Sequence, residues 1–254
     1  MLISGIISDL DGVVYRGDNA IPDAVEAFRK WHAEGTPYAF VTNNSSRSAN
    51  EFAAKLNGMG VQITPDLVFT TVSATASLTR KKWPRGTRVF AIGEKPLLDA
   101  LMANEFVLTD QNVQLVVIGF DFHLNFEKLR TAIRSALTGV PVIFTNPDVL
   151  TPATNGFNPG VGATAAYVRA AVPSITQVFV GKPETYLIEE ALSALGTDRT
   201  ETIMIGDQIA TDIVAGRKAG LRSILVTTGV QATLVDGVVP DRTVSSLLNL
   251  LTAI

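Results

Sequence analysis

Short apolar runs alternate along the chain with longer segments in which apolar residues recur every three or four positions. Short continuous apolar runs are typical of buried strands in a parallel sheet, and apolar stripes at helical spacing are typical of helices that cover such a sheet. The pattern therefore predicts an α/β fold whose core is a Rossmann-like parallel sheet.

Strands are predicted at residues 5–8, 38–41, 89–92, 115–119, 140–145, 177–180, 202–205 and 223–227. Helices are predicted at residues 22–35, 49–59, 74–82, 96–104, 126–137, 163–171, 184–195 and 210–219. Two helix starts have local signals, because Pro22 suits a first turn and Ser48 and Glu51 have capping-box spacing. The stretch 146–162 is turn-rich, with its glycines and prolines concentrated in the second half, and is predicted to be a loop.

Four of the apolar runs end in a polar group. The groups are Asp9-Leu10-Asp11-Gly12, Thr42-Asn43-Asn44, Gly181-Lys182-Pro183, and Gly206-Asp207 followed by Thr211-Asp212. In open parallel sheets, ligands bind outside the carboxyl ends of the strands. The four groups are therefore predicted to meet at that edge and to form one phosphate-handling site.

These four groups come only from the first and last thirds of the chain. With 254 residues, the chain exceeds the ~100–150 residues usual for one domain. Residues 73–175 are therefore predicted to form an inserted, smaller α/β domain. Residues 1–72 and 176–254 are predicted to form the core that carries the site.

The composition of the chain excludes several classes of function. The net charge is −3, so no basic face for nucleic acid is expected. The absence of cysteine excludes thiolate catalysis and Cys-ligated metal sites. The apolar N-terminus lacks a preceding positive region, and no run approaches the ~18 apolar residues of a membrane span. A cytoplasmic protein without a membrane partner is the expectation.

Asp9 and Asp11 lie two residues apart at the end of the first predicted strand. One carboxylate could attack phosphorus, and the other could protonate the leaving group and then activate water. Two carboxylates and a phosphate repel one another, so a cation is needed, and Mg²⁺ suits oxygen ligands. Asp207 is the predicted further ligand, and Asp212 is placed to orient it.

Thr42 and Asn43 offer a hydroxyl, an amide and backbone N–H groups to phosphate oxygens, and Lys182 offers a cation. Each motif alone is also typical of an ordinary turn or cap. All of them together, at strand ends, favour phosphoryl chemistry.

These four groups resemble the four motifs of haloacid dehalogenase superfamily phosphatases, specifically the NagD-like or 4-nitrophenylphosphatase-like branch. The resemblance implies that Asp9 is the nucleophile and Asp11 the acid and base. It also implies that Asp9, the Asp11 carbonyl and Asp207 hold Mg²⁺. The residues implied to bind the phosphoryl group are Thr42, Asn43 and Lys182. Asp11 and Asn44 are also implied to contact the substrate, and Thr42 and Lys182 are implied to be catalytic together with Asp9 and Asp11.

The inserted domain shares the resemblance. Thr145-Asn146-Pro147-Asp148 and Asn158–Ala163 resemble the substrate-facing loop and the following helix of that branch's α/β cap. Asn146 and Asp148 are therefore implied to face the substrate, and dimers through the cap are implied. Two departures stand out: Gln208 follows Asp207, and residues 149–155 lack the His or Arg with which relatives grip charged substrates.

The prediction is a Mg²⁺-dependent phosphomonoester hydrolase that forms an aspartyl-phosphate. Its substrates are small phosphorylated metabolites such as sugar phosphates, nucleoside monophosphates or 4-nitrophenyl phosphate. One alternative is a phosphotransferase or mutase that uses the same aspartyl-phosphate. The other is a phosphometabolite-binding protein without catalytic activity.

Overall fold

A computed structural model describes residues 3–153, 156–229 and 234–251. The chain divides into two compact units. Unit 1 consists of residues 1–42, 49–69 and 182–254, and unit 2 of residues 43–48 and 70–181. The second unit was predicted at residues 73–175, so its main segment begins three residues earlier and ends six residues later than predicted. It also contains residues 43–48, which were predicted to lie in the core. The assignment of catalysis to one part and substrate selection to the other stays a prediction.

Within the described residues the strands, in chain order, are β1 (Gly5–Ser8), β2 (Tyr15–Arg16), β3 (Asn19–Ala20), β4 (Tyr38–Thr42), β5 (Val68–Thr70), β6 (Arg88–Ile92), β7 (Val107–Leu108), β8 (Leu115–Ile118), β9 (Val142–Phe144), β10 (Leu150–Ala153), β11 (Gly156–Pro159), β12 (Gln177–Phe179), β13 (Thr202–Gly206), β14 (Arg222–Val226) and β15 (Arg242–Val244).

The α-helices in the same residues are α1 (Pro22–Ala33), α2 (Ala49–Gly58), α3 (Thr71–Lys82), α4 (Lys95–Ala103), α5 (Phe126–Leu137), α6 (Val161–Ala171), α7 (Tyr186–Leu195), α8 (Val214–Lys218) and α9 (Leu248–Leu251). A 3₁₀ turn at Pro65–Leu67 and a π-helical turn at Ile209–Ile213 complete the helical segments. No helix in this described part of the chain combines the length and apolar character that crossing a membrane requires.

Unit 1 is built on a six-stranded sheet with the order β15-β14-β13-β1-β4-β5. The pairs that flank β1 are parallel, as are β13 with β14 and β14 with β15. Helix α1 packs Phe28 and Trp31 into the core beside Phe40 of β4, and these side chains are fully buried. Apolar residues three and four apart on α1 form the buried face, as the sequence pattern predicted.

The strand order determines where the site lies. Because β1 is paired on one side with β4 and on the other with β13, the carboxyl ends of these three strands are neighbours at one sheet edge. Asp9 follows β1, Thr42 ends β4 and Asp207 follows β13. The sheet alone thus brings three of the predicted site residues to one edge.

Unit 2 contains a five-stranded parallel sheet with the order β12-β9-β8-β6-β7. Its apolar core includes Ile118, Phe144 and Val168, all fully buried. The α/β class with parallel sheets is therefore confirmed. One strand placement is wrong, because the run at 177–180 was predicted to join the sheet of the site. Its strand, β12, pairs instead with β9.

Other differences are local. The stretch 146–162, predicted to be a loop, contains the antiparallel strands β10 and β11, which pair with each other. The helix predicted at 210–219 begins as a π-helical turn, in which Ile213 N donates to Gln208 O. The short elements β2, β3, β5, β7, β15 and α9 were not predicted from the sequence. Each spans only two to four residues, which is too short for a periodic pattern to be recognised.

Candidate active site

Asp9 lies at the end of the central strand β1 and is 8% exposed. Its backbone N–H donates to Ile205 O at 2.8 Å, so the ladder with β13 continues one residue beyond the strand. The side chain therefore starts from a rigid backbone position. Its Oδ1 atom lies 2.6 Å from Lys182 Nζ.

Lys182 is 2% exposed and bridges two carboxylates. Its Nζ lies 2.6 Å from Asp9 Oδ1 and 2.7 Å from Asp212 Oδ1, and it donates to Val41 O at 3.3 Å. Burial by itself would lower the pKa of Lys182, but the charges and hydrogen bonds of Asp212 and Asp9 raise it above its ordinary value. The two carboxylates thus favour the charged ammonium form of Lys182 inside the site.

Asp207 and Asp212 are both 1% exposed. Asp207 follows β13 directly, and Asp212 lies in the π-helical turn, where its Oδ2 accepts a hydrogen bond from Gln208 N at 3.0 Å. One carboxylate oxygen from each of Asp9, Asp207 and Asp212 lies within 4.8 Å of the other two. Because its backbone N–H donates to Asp212, Gln208 contributes its backbone to the site, although the residue itself is exposed.

The charges in this buried cluster do not balance. Three carboxylates face one ammonium group, and uncompensated buried charge is costly. Burial raises the pKa of Asp9 well above its ordinary value; the charge of Lys182 opposes the rise, and the charges of Asp212 and Asp207 add to it. A divalent cation would relieve this repulsion. Carboxylate oxygens are also the donors that Mg²⁺ prefers, so the residues present fit that ion.

Three glycines lie against the carboxylates. A Cβ atom at Gly12 or at Gly229 would collide with Asp207 Oδ2, and one at Gly206 would collide with the Asp212 side chain. Gly12 also has φ +83°, a conformation that favours glycine. The backbone must therefore approach the acidic side chains closely for them to reach their positions.

The segment after β14 was missed by the sequence analysis. Thr228 Oγ1 donates to Gly12 O at 2.7 Å, Arg16 Nε donates to Thr228 O, and Gly229 contacts Asp207. The position of this segment could have revealed it. Strand β14 is another parallel strand of the same sheet, so its carboxyl end lies at the same edge as the predicted site. Threonine followed by glycine carried no charged group that would have drawn attention to it.

Replacing Gly229 with alanine is expected to weaken Mg²⁺ binding about tenfold or more, because the added methyl group displaces the Asp207 carboxylate. Isothermal titration calorimetry with Mg²⁺ measures the effect. Gly58→Ala is the matched control, since no atom lies within 4 Å of a Cβ there. Equal Mg²⁺ affinity in Gly229→Ala and wild type would contradict the expectation.

Asp11 is exposed, and its carboxylate does not belong to the three-carboxylate cluster. Although Asp11 as a whole is exposed, neighbouring protein atoms partly desolvate its carboxyl and raise its pKa, and the charge of Lys55 opposes the rise. Lys55 is itself held by Gly17 O at 2.6 Å and lies 3.7 Å from the centre of the Tyr15 ring. A raised pKa keeps the carboxyl protonated to higher pH, as a general acid requires.

Thr42, at the end of β4, is buried in unit 1, and unit 2 holds the other predicted residues. Asn43 Nδ2 donates to Asp148 Oδ1 at 3.1 Å, and Asn146 Nδ2 donates to Asn43 O at 2.7 Å. The Asn44 side chain turns back, and its Oδ1 accepts from Ser46 N and Ser46 Oγ, both at 2.8 Å. The structure thus brings Asp9, Lys182, Asp207 and Asp212 together in unit 1, and Asn43, Asn146 and Asp148 together in unit 2.

Family models match most of the chain. Residues 6–107 match the haloacid dehalogenase-like hydrolases, and residues 179–250 match the HAD-hydrolase-like model. The 5'-nucleotidase YutF of Bacillus subtilis is 38% identical over 227 residues, which is 89% of this chain and 88% of the relative. The acid sugar phosphatase of Staphylococcus saprophyticus is 38% identical, over 87% and 85%.

A solved structure resembles the whole chain. The p-nitrophenyl phosphatase from Archaeoglobus fulgidus superposes with a TM-score of 0.92 at 32% sequence identity, and the match covers 100% of both chains. The similarity therefore includes residues of both units.

Proposed function

Because the chain belongs to the haloacid dehalogenase-like hydrolases, we propose that its site hydrolyses small phosphomonoesters through an aspartyl-phosphate on Asp9. The chain is a phosphatase of this family, and the predicted resemblance to the 4-nitrophenylphosphatase-like branch is confirmed. The named relatives differ in substrate: one is a 5'-nucleotidase, and others are an acid sugar phosphatase and a dihydroxyacetone phosphatase. The proposed substrate class is therefore a small phosphorylated metabolite.

The single observation that carries the proposal is the buried cluster around Lys182. A nucleophilic carboxylate must approach a phosphate dianion, and the barrier is largely electrostatic. Lys182 sits between Asp9 and Asp212 as a fixed positive charge, with Asp207 close by. This arrangement offsets negative charge at the place where the nucleophile lies. A metabolite-binding protein without catalytic activity would have no use for a carboxylate held in that position.

In the proposed first step, a carboxylate oxygen of Asp9 forms a bond to phosphorus while the bond from phosphorus to the leaving oxygen breaks. Asp11 donates its proton to that oxygen, and the alcohol leaves. In the second step, Asp11 takes a proton from water, which attacks phosphorus and breaks the bond to Asp9. Inorganic phosphate is released, and both carboxyl groups return to their initial states.

The other residues bind and orient. Thr42, Asn43, Asn44 and Lys182 are proposed to contact the phosphoryl oxygens. Mg²⁺, held by Asp9, Asp207 and the Asp11 carbonyl, would supply positive charge that offsets the charge of the phosphoryl group. Asp212, whose oxygens are engaged by Lys182 and by Gln208 N, is proposed to keep this arrangement in place.

Phosphate release from a panel of phosphomonoesters tests the proposal. The panel contains 4-nitrophenyl phosphate, sugar phosphates and nucleoside monophosphates, each with Mg²⁺ and with a chelator. Turnover that requires Mg²⁺ is expected, and the ranking of esters identifies the leaving group. A product analysis with added alcohol separates hydrolysis from phosphoryl transfer. Binding of the esters without release of phosphate would contradict the proposal.

Residues 73–175 are proposed to select the leaving group, and a homodimer is proposed to form through the same residues. A cytoplasmic location is also proposed. Light scattering on the purified chain measures the oligomeric state, and a monomer at micromolar concentration would contradict the dimer.

A further inference from the structure

We infer that Asp148 is a positioning residue that holds the amide of Asn43 in the orientation needed for phosphoryl binding. The inference rests on the proposed function and reassigns Asp148, which the sequence analysis expected to face the substrate. Its basis is a hydrogen-bonded network within unit 2 that joins the segment after β4 to the loop after β9.

The first observation is the bond between the two side chains. Asn43 Nδ2 donates to Asp148 Oδ1 at 3.1 Å, and both residues are half-buried. A bond to a carboxylate is stronger than one between neutral groups. An amide nitrogen carries two hydrogens in a plane, so one fixed N–H bond also fixes the direction of the other. Asp148 thereby determines where the Asn43 amide points.

The second observation is that the Asn43 backbone is held by the same loop. Asn146 Nδ2 donates to Asn43 O at 2.7 Å, and Asn146 Oδ1 accepts from Asp148 N at 3.1 Å. Thr71 Oγ1 also donates to Asn43 O, at 3.0 Å. Asn146 is 5% exposed, which protects these bonds from competition with water. Backbone and side chain of Asn43 are therefore fixed together.

The third observation concerns the loop itself. A Cβ atom at Gly160 would collide with Asp148 O, and one at Gly162 would collide with Pro147 O. Gly162 N donates to Asp148 O at 2.8 Å. The start of α6 therefore packs directly on the backbone of Asp148 and holds it. This close approach explains the glycines at positions 160 and 162.

Asp148 could either contact the leaving group of the substrate or position Asn43, and these two roles predict different kinetics. A residue that contacts the leaving group changes activity by a factor that depends on the ester. A residue that positions Asn43 changes the affinity for the phosphoryl group itself, whatever the leaving group is. Inorganic phosphate has no leaving group, so its inhibition constant separates the two roles.

The experiment measures competitive inhibition by inorganic phosphate, and kcat/KM for three esters, in wild type, Asp148→Ala, Asp148→Asn, Asn43→Ala and the double alanine variant. Asp148→Ala is expected to raise the inhibition constant about tenfold and to lower kcat/KM by a similar factor for all three esters. Asp148→Asn keeps an acceptor oxygen and is expected to stay within about threefold of wild type. In the Asn43→Ala background, Asp148→Ala is expected to add no further loss.

Asn125→Ala is the matched control in the same unit. Asn125 caps α5 by accepting from Lys128 N at 3.1 Å, so this variant loses a structural hydrogen bond of similar chemistry. Phosphate inhibition is expected to be unchanged in it. Asp148→Ser is a second truncated variant for the case that Asp148→Ala does not fold, and it is expected to behave like Asp148→Ala.

Four results would overturn the inference: losses that vary with the ester, tighter binding of phosphate in Asp148→Ala, an unchanged phosphate inhibition constant in that variant, or additive losses in the double variant. Failure of the proposed function gives a different result, because wild type itself would then release no phosphate from any ester. Wild-type turnover with an unchanged phosphate inhibition constant in Asp148→Ala rejects only the inference.

Discussion

Replacing Asp9 with asparagine is expected to lower turnover of every phosphomonoester by about 10⁴-fold or more, because the variant lacks the oxygen nucleophile. The fold is expected to survive. Asparagine has nearly the same shape, and a neutral side chain lowers the cost of burial at a position where burial already raises the pKa of the carboxyl. Lys182 keeps its contact with Asp212. The measurement is the steady-state rate together with the thermal midpoint of unfolding.

Asp66→Asn is the matched control for this experiment, because Asp66 is an exposed aspartate of the same unit. This variant is expected to turn over phosphomonoesters at the wild-type rate. Intact-mass spectrometry of quenched turnover mixtures gives a second readout. Wild type is expected to show a fraction of protein carrying one phosphoryl group, and Asp9→Asn is expected to show none. Turnover of Asp9→Asn within about tenfold of wild type would reject Asp9 as the nucleophile.

Replacing Lys182 with methionine is expected to abolish activity and to lower the free energy of unfolding at neutral pH by about 3–5 kcal/mol. Methionine fills a similar volume but carries no charge, so the buried carboxylates of Asp9 and Asp212 lose the ammonium group that lies 2.6 and 2.7 Å from them. Removing one partner of a buried ion pair leaves charge uncompensated, and this accounts for the size of the loss. Chemical denaturation monitored by circular dichroism measures it.

The loss is expected to depend on pH. In wild type the charge of Lys182 already opposes a rise in the pKa of Asp9, so removing Lys182 raises that pKa further. When the pKa of a carboxyl is higher in the folded than in the unfolded protein, the free energy of unfolding falls as the pH rises from the unfolded pKa to the folded pKa. The variant should therefore be closest to wild type near the unfolded pKa of about 4 and fall behind as the pH rises.

Lys218→Met is the matched control, since Lys218 forms an exposed ion pair with Glu184 at 2.9 Å. Exposed pairs contribute about 0–1 kcal/mol, so this variant should stay close to wild type at every pH. Mg²⁺ is expected to stabilise Lys182→Met more than wild type, because it compensates the same carboxylates. A pH-independent loss in Lys182→Met would indicate a packing defect and would contradict the electrostatic explanation.

Local sequence signals were sufficient for much of the fold. Helix α5 has both bounds where the sequence analysis put them, because its apolar period is clear and Asn125 caps its start. The neighbouring ends of β1, β4 and β13 were also foreseeable, because ligand sites in parallel sheets lie at the carboxyl ends. That rule placed Asp9, Thr42 and Asp207 at one edge from the sequence alone.

Other features depend on contacts between distant segments. The apolar run of β12 predicted a strand, yet nothing in it specified β9 as its partner. The same holds for Gly229, whose lack of a side chain matters only because Asp207 packs against it. Strand partners and close backbone contacts of this kind depend on the shape and burial of surfaces that form when the chain folds. The neighbouring residues in the sequence therefore do not reveal them.

The sequence by itself determined the α/β class and the sheet edge at which Asp9, Thr42 and Asp207 lie, because periodicity and strand ends are local properties. Only the tertiary structure decided that Lys182 bridges Asp9 and Asp212, although 173 residues separate Asp9 from Lys182 in the chain. It also decided that Asn43 is held by Asp148 within unit 2. Hydrogen bonds and ion pairs of this length require positions fixed within a fraction of an ångström, and only the packed fold fixes them.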